Sequence, residues 1–238
     1  MVNYLEQTTE NLGKPVKAII VPHAGYVYSG SIAASAYKQL QQNANIIKHV
    51  ILLGPNHRVP LNGIASTSAT HFATPLGTVP VDQLAIKELE TLPQVHCVDA
   101  AHEQEHSLEV HLPFLQVLLN DFTIVPLVVG ECSAAEVAEV LQTVWGGSET
   151  LIIVSSDLSH YHDYQTARHM DKQTSLAIEQ LKPENIGHDG ACGRNSINGL
   201  LTLARNMRLH VTTLDVRNSG DTAGDKSRVV GYGAYSIQ

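Results

Sequence analysis

The chain has 238 residues, 43% hydrophobic and 16% charged, enough apolar material for one large core and too little charge for a disordered polypeptide. Its net charge is −8 and its Lys and Arg residues are scattered, so a face that neutralises successive phosphates is excluded, and neither nucleic acid nor an anionic membrane is an expected partner. No apolar run approaches the ~20 residues of a membrane-spanning helix. The opening MVNYLEQTTENLGK lacks the basic start and apolar stretch of a secretory signal. The three cysteines, Cys97, Cys132 and Cys192, cannot all pair internally, so a reducing, cytoplasmic setting is expected.

After a polar lead over residues 1–15, KAIIV (17–21) reads as a buried strand and SIAASAYKQLQ as a helix packed close to a sheet. HVILLG returns as a strand, GIASTSA offers a third, and Pro75, Gly77 and Pro80 signal turns. A helical pattern covers Val81 to Thr91, and HCVDA reads as a short strand with Cys97 as a buried thiol. EHSLEVHLPFLQVLL (105–119) predicts one amphipathic helix with Leu108, Leu112, Leu115 and Leu119 on its apolar face.

The alternation continues with strand TIVPLVV, helix AAEVAEVLQTVW, strand TLIIVSS and a long helix from about Tyr164 to Leu181. Helix SINGLLTLARNM, strand VTTLDVR, the glycine-rich loop NSGDTAGDKS and strand RVVGYGAYSI complete the chain. The glycines of VVGYGAYS are expected where other backbone approaches closely. Such alternation predicts a single α/β domain over 1–238, with a mostly parallel, mixed central sheet and helices on both faces. A homo-oligomer is compatible with this pattern, although no heptad specifies one.

Three motifs carry the chemistry. IIVPHAG and ILLGPNH each deliver a histidine, His23 and His57, from the end of a β-branched strand through a proline-bearing turn. Both side chains therefore leave at the carboxyl edge, where open α/β sheets bind ligands. DGACGRNS places Cys192 just before a helix, where the helix dipole is expected to favour the thiolate. Two imidazoles and a thiolate form a metal site with open positions, whereas structural zinc would more typically use CxxC pairs, which the chain lacks.

SSDLSHYH places Asp157 and His160 at the same edge, His160 as a proton acceptor and Asp157 as a group that fixes a histidine tautomer, or as a plain helix cap. His106 at a helix start can reach the cleft, His111 is expected to be packed, and Glu105 and Glu109 read as solvated first-turn acids. Tyr26 and Tyr28 can line a groove, although packing about the first turn is their default role. The chain has no GxxxxGK[ST] loop, no GxGxxG after a strand and no GxSxG elbow, which disfavours nucleotide-driven and serine-hydrolase chemistry.

The ordered segments VPHAGYVYSG, LGPNH, TPLG, EHSLEVHLPFL, SSDLSHY, CGRNSI, NSGD and VVGYGAYS make the chain similar to the MEMO family, a relative of the class III extradiol ring-cleaving dioxygenases with their LigB-like fold. The resemblance implies metal ligands at His23, His57 and Cys192, with Asp157 and His160 beside them. Ferrous iron is the cofactor it favours, with copper or zinc as alternatives because a thiolate replaces the usual carboxylate. The expected function is a non-haem, metal-dependent redox enzyme acting on a small molecule. The alternative is a non-catalytic protein that holds a metal or a peptide in the same cleft, and zinc-assisted hydrolysis ranks below both.

Overall fold

The structure is a computed structural model and describes residues 1–8 and 15–238. A short helix α1 (Val2–Glu6) comes first, and the remainder of the polar lead, residues 9–14, lies outside the described residues. The chain then runs β1 (Ala18–Val21), α2 (Tyr26–Tyr37), β2 (His49–Pro55), β3 (Ile64–Ser66), β4 (His71–Thr74), β5 (Gly77–Pro80), α3 (Gln83–Leu89) and β6 (Val95–Cys97). It continues through α4 (Leu112–Leu118), β7 (Thr123–Val129), α5 (Ala134–Thr143), β8 (Thr150–Ser155), β9 (His160–His162) and α6 (Tyr164–Glu179). The last elements are α7 (Arg194–Asn206), β10 (Val211–Asn218), α8 (Ser219–Thr222) and β11 (Val229–Ile237).

The main sheet has the order β10-β11-β1-β8-β2-β7-β3-β6, with β9 pairing to β11. Its centre, β1-β8-β2-β7, is parallel, while β11 is antiparallel to β1 and β10, and β3 is antiparallel to β7. The expected mixed α/β architecture is therefore what forms. β1 and β8 are buried along their whole length, and β2 and β7 beyond their first residue, because helices cover both faces. That is why their sequences are continuous apolar runs rather than alternating ones. Pro126 is tolerated within β7 because β3 pairs only with Val128 and Val129, so no ladder is broken where the proline lacks its N–H.

Three local differences from the sequence reading have physical causes. The helix expected over 105–119 is reduced to α4 after a 3-10 turn at Glu109–His111, because the Glu105 carboxylate takes the N–H groups of His106 and Ser107 and holds that segment as a tight turn. The four leucines are still buried, so the apolar face was read correctly and the helix start was not. The turn signalled by Pro75 and Gly77 falls at residues 75–76, but the residues on either side of it form the β4–β5 hairpin, with Gly77 at φ +122° pairing with Thr74. Cys97 is exposed, not buried, because it ends the short edge strand β6.

Strand β9 was not foreseen. It pairs His160 with Val230 and His162 with Val229 across a bulge, and Tyr161 between them takes a left-handed φ of 61°. That conformation costs a non-glycine residue about 1 kcal/mol. At β11, a Cβ on Gly231 would lie 2.2 Å from the Asp171 carboxylate of α6, so only glycine lets this helix close on the strand.

Candidate metal centre

β1, β8 and β2 lie side by side and parallel, and their carboxyl ends feed three adjacent loops. The loop after β1 carries His23, the loop after β8 carries Asp157, and the loop after β2 carries His57. Strands β1 and β2 are two strand spacings apart, ~10 Å, and the imidazoles lean toward each other over the end of β8. Their ring centroids are 5.3 Å apart. His106 completes a triangle of rings, 5.4 Å from His23 and 5.0 Å from His57.

Cys192 reaches this cluster from the turn before α7. A Cβ on Gly193 would lie 2.5 Å from the Ser155 carbonyl, so glycine is what lets that turn close against the end of β8. The sulfur is 3.6 Å from His23 Nε2 and accepts the Asp157 N–H at 3.3 Å. One donor atom from each of His23, His57 and Cys192 lies within 4.8 Å of the others. These are the three residues expected to meet, and the topology brings them together.

Each histidine is oriented through its other nitrogen. His23 Nδ1 is 2.7 Å from Ser155 Oγ, which leaves Nε2 toward Cys192. His57 Nδ1 is 2.9 Å from Glu105 Oε1, and Glu105 Oε2 accepts the His57 backbone N–H at 2.7 Å. Fixing Nδ1 by a hydroxyl or carboxylate while Nε2 stays available is the usual outer support of a metal-binding histidine. Burial, with His57 and His106 nearby, lowers the His23 pKa to about 3, so its imidazole is neutral and has a free lone pair.

The thiol behaves differently from the expectation of a lowered pKa. Burial and the Asp157 carboxylate push Cys192 up to about 12. The Asp157 and Gly193 N–H groups and the Ser156 hydroxyl favour the thiolate, but burial and the Asp157 charge outweigh them, and the Gly193 N–H is shared with Ser156 Oγ at 2.9 Å. Asp157 does not cap a helix. Its Oδ1 accepts the N–H groups of His23 and Ala24 at 2.9 and 3.3 Å, tying the β1 loop to the β8 loop, and burial raises its pKa. The cap of α6 is Asp163.

Glu105, read as a solvated acid, is buried beneath the centre. Burial opposes its charge, but hydrogen bonds from the His57 ring, the His57 N–H and the Ser107 N–H outweigh it and hold the carboxyl at about 2. His106 belongs to the cleft, with a buried Nδ1 that has no hydrogen-bond partner among the described residues. His57, Glu105 and His106 form a second candidate donor group sharing His57. His111 is packed as expected, and its Nε2 meets Ser155 Oγ at 2.9 Å, so one hydroxyl bridges His111 and His23. Sequence reasoning missed Ser155 and Glu105, whose only signal was their position at a strand end or beside a histidine.

The centre opens into a cleft of about 640 Å³ whose lining includes Tyr28, His160, Tyr161 and Tyr232. Tyr28 faces this space, whereas Tyr26 packs edge-on against Phe114 and donates to the Val110 carbonyl. The fold and these donors define an α/β protein with a candidate metal centre at the carboxyl edge of a mixed sheet. The Memo-like protein model matches residues 1–236, and the chain belongs to that family.

It is 36% identical over 227 residues to a MEMO1 family protein of Metallosphaera sedula, covering 90% of this chain and 80% of that one. It is 32% identical over 257 residues to human Protein MEMO1, covering 94% and 86% respectively. A crystal structure of an uncharacterized protein from Escherichia coli K12 superposes with a TM-score of 0.59 at 13% identity, covering 90% of this chain and 98% of the other, which shows a shared fold. No helix among the described residues is long and apolar enough to cross a membrane.

Proposed function

We propose that this protein is a metal-dependent redox enzyme of extradiol-dioxygenase type, with His23, His57 and Cys192 holding the metal and Fe(II) as the favoured ion. The observation that carries the reading is the convergence of three donor atoms within 4.8 Å, supported by a hydroxyl and a carboxylate, beside an open cleft that His23 and His57 line. The donor chemistry fits a metal: two oriented imidazoles present one nitrogen each, and the thiol supplies a soft ligand once deprotonated. Such an ion supplies open positions where a chelating substrate and O₂ are activated together.

The chain's own residues would do the rest. His160, in the cleft wall, accepts a proton from the substrate as it binds. Asp157 keeps the His23 loop in register with the β8 loop through its two backbone hydrogen bonds. Tyr28 and Tyr232 bound the space and restrict water around the donors. The raised Cys192 thiol gives a specific reason to keep a non-catalytic metal- or peptide-binding role as the second reading, because a protonated thiol is a poor ligand until a metal displaces its proton.

The test is anaerobic reconstitution with Fe(II), Cu(I) and Zn(II) in competition, with Cys192→Ala and His160→Ala alongside the native protein. Stoichiometric Fe(II) that is lost in Cys192→Ala, with metal retained but O₂-dependent turnover of catechols lost in His160→Ala, is the expected result. Stoichiometric metal in Cys192→Ala would remove the ligand assignment. Metal binding without turnover of any catechol would leave the non-catalytic reading in its place.

A further inference from the structure

The segment over residues 105–111 reaches the metal centre twice. Its first contact is the grip of Glu105 on His57. Its second runs through His111, a buried ring at the junction of the 3-10 turn and α4. His111 Nε2 lies 2.9 Å from Ser155 Oγ, and the same hydroxyl lies 2.7 Å from His23 Nδ1.

A hydroxyl has one proton to give, so a row of imidazole, hydroxyl and imidazole can run in either of two directions. In one, His23 Nδ1–H donates to Ser155, Ser155 donates to His111 Nε2, and His23 Nε2 carries a lone pair. In the other, every donor is reversed and the His23 proton sits on Nε2, 3.6 Å from the Cys192 sulfur, where it blocks a metal. Asp157 Oδ2, 3.9 Å from that nitrogen, is too far to hold a proton there.

His111 decides between the two. Burial, with His23 nearby, lowers its pKa to about 3, so the ring carries a single proton. The Ser107 backbone hydrogen bond favours the protonated ring, as only an accepting carbonyl does. Ser107 is itself fixed, its N–H on Glu105 Oε1 at 3.0 Å and its hydroxyl on the Pro55 carbonyl at 2.9 Å. Because Nε2 faces Ser155, the Ser107 carbonyl takes the proton on Nδ1 and leaves Nε2 as an acceptor. Ser155 must then donate to His111 and accept from His23.

We propose that His111 is a positioning residue of the metal centre: by accepting the Ser155 hydroxyl it places the His23 proton on Nδ1 and keeps Nε2 open to the ion. One segment thus presets both histidines, His57 through Glu105 and His23 through Ser155. The purpose of this device rests on the proposed ligand set, but the tautomer exists before any metal arrives.

Long-range proton–nitrogen correlation spectra of the metal-free protein, labelled with the heavy nitrogen isotope at histidine, test it, with the His23 signals assigned by their loss in His23→Gln. The native protein should show His23 protonated at Nδ1. In His111→Phe, which keeps a ring beside Tyr37 but removes the acceptor, the proton should move to Nε2 or divide between the nitrogens. Zinc affinity, read by competition with a chromophoric chelator, should fall about tenfold in that variant. His111→Gln, whose amide oxygen can accept from Ser155 while its nitrogen donates to Ser107, should restore both the tautomer and the affinity. A proton on His23 Nε2 in the native protein, a result that needs no variant to fold, would overturn the proposal, as would an Nδ1–H tautomer that persists in His111→Phe. If no zinc binds while the tautomer still follows residue 111, the ligand assignment fails and the positioning role stands.

Discussion

Glu105 grips His57 twice, through Oε1 at 2.9 Å from the ring Nδ1 and through Oε2 at 2.7 Å from the backbone N–H. The carboxylate therefore sets both the tautomer of the imidazole and the path of the loop that carries it. Glu105→Gln keeps the size but turns one acceptor into a donor that faces an N–H. Metal affinity, measured by competition with a chromophoric chelator, should fall by about ten- to a hundredfold. The carboxyl is held at about 2 against an ordinary 4.5, so its stabilisation is complete above pH 4.5 and is lost as pH falls through about 2. The loss of thermal stability in Glu105→Gln should accordingly be largest near neutral pH and shrink in acid.

Cys192 gives metal binding its own pH dependence. Because burial and Asp157 raise the thiol to about 12, an incoming ion must displace a proton throughout the neutral range. Apparent affinity should rise about tenfold per pH unit between about pH 7 and 9. Chelator competition across that range reads the slope, and a flat profile would mean that the sulfur does not enter the coordination.

Ser155 joins two buried histidines by a single hydroxyl, 2.7 Å from His23 Nδ1 and 2.9 Å from His111 Nε2. Ser155→Ala should leave both without that partner. Equilibrium denaturation of the metal-free variant should show a loss of about 1–3 kcal/mol. Its metal affinity should fall by about ten- to a hundredfold, since His23 loses the group that orients it.

Asp171 makes the opposite contribution to acid stability from Glu105. Its carboxyl is pushed up to about 6 by burial against β11, beyond what the Ser159 N–H can offset. A raised carboxyl stabilises the fold below the ordinary value of 3.8, and this contribution is lost as pH rises through about 6. Asp171→Asn keeps an acceptor for Ser159 without the charge. Its melting temperature should exceed that of the native protein at pH 8 and match it near pH 4, as thermal unfolding in matched buffers will show.

Local pattern was enough to specify the central strands, their apolar runs and the two histidines that leave them through proline-bearing turns. These features are local: a buried parallel strand must be apolar on both faces, and a turn at its end points the next side chains outward. Cys192 was legible for a similar reason, as a residue between glycines at the start of a helix. Tertiary structure alone decided what surrounds these groups. Glu105 lies 48 residues from His57, and nothing near it in the chain reports the burial that makes it a clamp rather than a solvated acid.

The same limit explains the thiol. Helix position argued for a low pKa, but the fold buries the sulfur and places the Asp157 carboxylate beside it, which outweighs the N–H groups that favour the thiolate. It also explains β9, whose three residues have no periodicity of their own and become a strand only because β11 offers them an edge. Periodicity and turn chemistry act over a few residues, whereas desolvation and charge act between any groups that the fold brings within several ångströms. The donors were therefore written in the sequence, and their protonation, orientation and neighbours were decided by packing.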